Sequence, residues 1–175
     1  FIFNQFVPGK SFAEVVKQAK EKGYTEPDPR EDLSGMDVAR KILILSREIG
    51  LKLEFSDITI EKIIPANCEQ ATSVESFFEE LDKSNDYFEN LVNEAYQNGK
   101  KLRYIAALEN NKITIGLRQV DATHPFYQMD GADNVIAFTT QRYHDRPLVI
   151  KGPGAGAEVT ASGVFADIVS LGNLA

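Results

Sequence analysis

The 175-residue chain has no tryptophan, one cysteine, two histidines and two methionines. A lone Cys68 excludes an internal disulfide and suits a reducing, cytoplasmic setting. Together with His124 and His144 it makes too small a donor set for a structural zinc site, and no metal is expected within these residues. No apolar run approaches the ~20 residues that a bilayer crossing takes, so no membrane role is expected. Basic residues are also short: 19 Lys and Arg stand against 26 Asp and Glu, for a net charge of −7. Without a basic patch to meet phosphates, nucleic acid is excluded as a partner. What the chain does have is 43% hydrophobic residues, enough at this length to bury a sizeable core, and the length favours one domain over 1–175.

The hydrophobic pattern alternates between helix and strand periods. Residues 2–7 read as a strand. Ser11 and Glu14 form a capping box for a helix that Gly23 ends. A second helix takes Ser34 as its N-cap, places Asp37 at N3 and stops at Gly50. Within it Val38, Ala39, Ile42, Leu45, Ser46 and Ile49 keep helical spacing, which leaves Asp37 and Lys41 at the edge of the buried stripe, beside the place for a cleft. Residues 55–64 read as a strand that Pro65 ends. Residues 74–98 are helical, with a break at Lys83-Ser84-Asn85. Two β-rich stretches, 101–109 and 112–121, flank Asn110-Asn111, a tight-hairpin signal. Strands near 134–140 and 147–151 follow, and a last helix starts after the glycines of 152–156. The sum is an α+β fold: a mixed, mainly antiparallel sheet with helices packed on one face.

The densest run is Gly23-Tyr24-Thr25-Glu26-Pro27-Asp28-Pro29-Arg30-Glu31-Asp32-Leu33-Ser34-Gly35-Met36-Asp37-Val38-Ala39-Arg40-Lys41, an acidic loop leading into a capped helix. Taken alone, Asp37 and Lys41 are an exposed i, i+4 ion pair worth a few tenths of a kcal/mol. In order, Ala19, Gly23, Asp28-Pro29, Asp32, Gly35, Asp37 and Lys41 resemble the signature of the homoserine dehydrogenases. The resemblance runs on to residues 151–168, and 26–30 and 34–41 look most like the form found in bifunctional aspartokinase/homoserine dehydrogenases.

The resemblance implies an oxidoreductase of threonine and methionine biosynthesis. It would reduce L-aspartate 4-semialdehyde to L-homoserine with NADP or NAD. It implies that Lys41 is the acid/base residue, that Asp37 binds and orients the substrate beside it, and that Glu26 binds the substrate ammonium, with Asp32 a third acidic member. Such chemistry needs these residue types. Hydride arriving at an aldehyde carbon builds negative charge on the oxygen, which a protonated lysine meets, and a neighbouring carboxylate keeps that lysine charged.

The glycines of 152–156 ordinarily serve a turn or close packing. The resemblance sets Gly154, Ala155 and Gly156 beside the nicotinamide end of the cofactor, with Gly156 the foremost contact. The family's nucleotide-binding domain, with its glycine fingerprint after a first strand, is not visible here. The chain is therefore expected to be the catalytic and dimerisation part of a longer protein that holds the cofactor mainly elsewhere. A homodimer is implied as the assembly. The alternative is a non-catalytic module that binds an amino acid and dimerises.

Overall fold

The computed structural model describes every residue except Asp130, Ala132, Ala155, Gly156, Leu174 and Ala175. Two compact units emerge, Phe1–Tyr127 and Gln128–Ala175.

The first unit opens with helices α1 (Ile2–Gln5), α2 (Phe12–Glu21), α3 (Pro29–Leu33) and α4 (Met36–Glu48). A 3-10 turn, Phe55–Asp57, leads into strand β1 (Ile58–Ile60). Helices α5 (Ala66–Glu69), α6 (Val74–Lys83) and α7 (Asn85–Gln97) precede the long strands β2 (Lys101–Glu109) and β3 (Lys112–Val120). The sheet order is β1-β3-β2, parallel between β1 and β3 and antiparallel between β2 and β3. Asn110 and Asn111 join β2 to β3 at φ 50° and 61°, both left-handed, as a two-residue turn that follows the strand twist requires.

Every second residue of the hairpin turns toward the helices. Leu102, Tyr104 and Leu117 join a core with α2, α6 and α7, in which Phe12 stacks on Phe88 at 4.1 Å between ring centroids. Ala106, Leu108, Ile113 and Ile115 join a second core under α4, and Tyr104 belongs to both. On the opposite face Arg103 is 5% exposed, yet no carboxylate among the described residues pairs with it. Its guanidinium donates instead to the carbonyls of Phe3, Leu102, Phe126 and Tyr127, at 2.8–3.0 Å.

The second unit pairs β4 (Asp133–Phe138) antiparallel with β5 (Leu148–Pro153) and ends in α8 (Ala157–Gly172). Its apolar side chains Ile150, Val164, Phe165, Ile168 and Leu171 are exposed.

The α+β class, the mixed sheet, the 110–111 turn and the helix break at Ser84 match the sequence reading. Four details differ. Residues 2–7 form the short helix α1 rather than a strand: so brief an apolar run carries no decisive period, and packing of Ile2, Phe3 and Phe6 on the first core settles it. The strand expected over 55–64 shrinks to Ile58–Ile60, because the capped 3-10 turn takes its start.

Ser34 is not the N-cap of the helix carrying Asp37. Asp28 and Pro29 start a helix of their own, Asp28 accepting from Arg30 N at 3.0 Å, so Ser34 falls at the C-terminal end of α3. Gly35 then caps α4 in a left-handed conformation, which makes Asp37 N2 instead of N3. The buried stripe of α4 is also rotated. Ala39, Leu43 and Ser46 are inside, whereas Leu45 and Ile49 are exposed, because the hairpin lies under the Ala39 and Leu43 side.

Candidate active site

The acidic run folds into a pinned loop and two short-spaced helices. Lys20 Nζ donates to the carbonyl of Pro27, and the Asp32 carboxylate accepts from Glu26 N at 2.9 Å. Asp28 caps α3 and receives two bonds from Arg30 Nε, at 2.9 and 3.0 Å. That contact holds the Asp28 carboxyl below its ordinary value and raises the Arg30 guanidinium above its own. Arg30 Nη1 also reaches the carbonyl of Ala71, tying α3 to the segment before α6. A loop so braced at both ends keeps Glu26 in one place.

Between this loop, α3 and the first turn of α4 lies an open depression of about 520 Å³. Glu26, Glu31, Asp32 and Asp37 line it, with Ser34, Met36 and Arg40. Such a surface favours a small cation, and an amino acid's ammonium is the obvious one, while Arg40 supplies a cation for a carboxylate. Among the described residues, no three His, Cys, Asp or Glu side chains are grouped to share a metal ion. Lys41 does not line the depression itself; its Nζ is 2.8 Å from Asp37 Oδ2, and the pair is 57% and 64% exposed.

Three of the acidic residues singled out from sequence, Glu26, Asp32 and Asp37, therefore meet at one place, with Lys41 bound to the last of them. Asp32 is partly committed, since one of its oxygens anchors the loop. Sequence reasoning passed over Glu31 and Arg40. The available signal was spacing: Glu31 adjoins Asp32 on a helix that Asp28-Pro29 announces, and Arg40 lies three residues after Asp37, on the same side of α4.

The second unit holds the residues that the resemblance assigns to the cofactor. Gly154 directly follows β5, and a Cβ there would fall 1.6 Å from Asn134 Nδ2. The Asn134 amide thus lies close beside Gly154, where a side chain on residue 154 would displace it. Ala155 and Gly156 lie outside the described residues. No helix among the described residues is long and apolar enough to cross a membrane.

Comparison with known proteins gives the family. The family model described as homoserine dehydrogenase matches residues 1–169. Bifunctional aspartokinase/homoserine dehydrogenase 2, chloroplastic, of Arabidopsis thaliana is 50% identical over 173 residues, covering 98% of this chain and 19% of that protein. The homoserine dehydrogenase of Schizosaccharomyces pombe is 45% identical over 179 residues, which cover 98% of this chain and 48% of the relative. Among solved structures, a Candida auris protein of unknown function superposes with a TM-score of 0.91 at 38% identity, over 99% of this chain and 50% of that one. The chain thus spans from about a fifth to about half the length of the relatives it matches.

Proposed function

The chain belongs to the homoserine dehydrogenase family, and on that basis we propose that it supplies the substrate site and the acid/base lysine of an NAD(P)-dependent homoserine dehydrogenase. The reaction is the interconversion of L-aspartate 4-semialdehyde and L-homoserine. The observation that carries this reading is the meeting of Glu26, Asp32 and Asp37 around one depression with Lys41 ion-paired at its edge.

Each residue has work to do in that reaction. Glu26, held by its backbone bond to Asp32, faces the substrate ammonium, and Asp32 fixes the loop that presents it. Arg40 meets the substrate carboxylate. Asp37 aims Lys41 through the 2.8 Å contact between its Oδ2 and the lysine Nζ. In the reducing direction Lys41 Nζ gives a proton to the carbonyl oxygen as the carbon is reduced. Being exposed, it takes a replacement from water, and in the oxidising direction it accepts the hydroxyl proton. NADP or NAD supplies or accepts the hydride when bound. The greater part of its binding surface belongs to the protein outside these residues, in keeping with the share of the relatives that this chain spans. We read the assembly as a homodimer, because the two-stranded β4–β5 sheet exposes Ile136, Leu148, Val149 and Ile150 and a ribbon of that kind calls for a cover.

The test is homoserine-dependent reduction of NADP or NAD by the natural full-length protein, alongside its Glu26→Gln variant. The expected result is turnover in the wild type and a KM for homoserine raised by about tenfold or more in the variant, since a charge-assisted bond to the ammonium is lost. No turnover in the wild type, or an unchanged KM in the variant, overturns the assignment.

A further inference from the structure

Gly35 sits where the acidic loop becomes α4, and two features set it apart. Its φ of +78° is left-handed, and a Cβ there would stand 2.1 Å from Tyr104 Oη and 3.2 Å from Ile60 Cγ2. Gly9, Gly23, Gly50 and Gly99 share the left-handed φ, yet a Cβ on any of them would meet nothing within 4 Å. The glycine at the head of α4 is therefore shaped by a neighbour as well as by its turn.

That neighbour is placed by the sheet. Tyr104 lies opposite Leu117 in the β2–β3 ladder, its ring is 6.4 Å from that of Phe3, and it packs against both core clusters. Its hydroxyl oxygen is buried and has no hydrogen-bond partner among the described residues. Burial, aided by Glu61, pushes the phenol up to about 12, so the group stays neutral across the working range. A phenylalanine would fill the same core without leaving a buried hydroxyl unsatisfied, so the oxygen works against stability. The contact it does make is with Gly35, the N-cap residue of the helix that carries Asp37 and Lys41.

We propose that Tyr104 is a positioning residue for the dehydrogenase reaction. Its hydroxyl abuts the Gly35 backbone and sets where α4 begins, and so where Asp37 and Lys41 stand at the depression. The inference rests on reading that depression as the homoserine site. Displacement of a catalytic group by about an ångström is enough to lower rates by two orders of magnitude, and besides Tyr104 the start of α4 is held by the bond from Met36 N to Ser34 Oγ at 3.2 Å, the N-cap Gly35 having no side chain to add one.

The experiment uses the full-length protein and four variants: Gly35→Ala, Gly50→Ala, Tyr104→Phe, and Gly35→Ala with Tyr104→Phe. Gly50→Ala places comparable left-handed strain at the other end of α4, in open space. Gly35→Ala is expected to lower kcat/KM for homoserine by about tenfold or more, and Gly50→Ala by no more than about twofold. Tyr104→Phe is expected to keep or raise the melting temperature while raising KM several-fold, a split that a purely structural role does not produce. The double variant recovers activity relative to Gly35→Ala, because the clashing oxygen is gone. Equal losses in Gly35→Ala and Gly50→Ala, or no recovery in the double variant, overturn the proposal. If Gly35→Ala does not fold, Tyr104→Phe decides: an unchanged KM overturns it, and a raised KM at an unchanged melting temperature supports it. A wild-type protein without homoserine oxidation overturns the underlying site reading, whereas an active wild type with equal glycine variants overturns this inference alone.

Discussion

Replacing Lys41 by alanine separates stability from chemistry. The Lys41–Asp37 pair is 57% and 64% exposed and spans i, i+4 on one helix. Pairs of that kind contribute about 0.3–0.5 kcal/mol. For a chain of this size that is a melting shift of roughly 1–2 °C. Alanine is also the better helix former, which offsets part of the loss. The effect on turnover is of another order, because a positioned general acid/base contributes about 10²–10⁴ in rate, or roughly 3–5 kcal/mol of barrier.

The full-length Lys41→Ala protein should therefore melt within about 2 °C of wild type and lose at least about a hundredfold in kcat for homoserine oxidation. NAD(P) affinity, measured by fluorescence or calorimetric titration without homoserine, should stay close to wild type. Asp37→Asn should lose less kcat than Lys41→Ala, and the double variant Asp37→Asn with Lys41→Ala should have a kcat no lower than Lys41→Ala alone, since the effect of Asp37 on kcat runs through Lys41. Turnover within threefold of wild type, by the same rate argument, would refute the role given to Lys41. A loss of more than about 2 kcal/mol of stability would refute the reading of the pair as a surface contact.

Three further outcomes test the frame around the site. Arg103→Met leaves four backbone carbonyls without their donor in a buried place and should cost about 3 kcal/mol in urea unfolding; Arg103→Lys should not restore it, because an ammonium lacks the guanidinium's span. The Asp28 carboxyl is held below its ordinary value of 3.8 by Arg30. Its stabilisation is therefore complete above that value and disappears as pH falls through the lower folded pKa, and Asp28→Asn, which keeps the cap, should flatten the acid limb of a stability-against-pH curve without removing α3. Asn111→Gly should hold or slightly raise stability at the left-handed turn position, while Asn111→Val should lower it by roughly 1–2 kcal/mol in thermal unfolding.

The helices and turns with clear local signals are legible in the chain itself. Ser11 opens α2, Ser84 parts α6 from α7, and Asn110-Asn111 turns β2 into β3, because each signal is complete within a few residues. The family signature from Ala19 to Lys41 was legible for the same reason. Misreadings came where a local pattern was short or had two solutions. Ile2–Gln5 is too brief to show a period, and Asp28-Pro29 and Ser34 compete as helix starts, a contest that the Arg30 bonds to Asp28 and Ala71 decide.

Local order along the chain was thus enough for most of the element types, for the α+β class and for the family signature. It did not contain the face of α4 that would be buried, because Leu43 and Leu45 are equally apolar and only the hairpin beneath tells them apart. Nor did it contain the Tyr104 hydroxyl pressed on Gly35, or the Arg103 bond to Phe3 across 100 residues. Those belong to long-range packing. They depend on which distant side chains the closed sheet brings together, and no spacing along the chain encodes that distance.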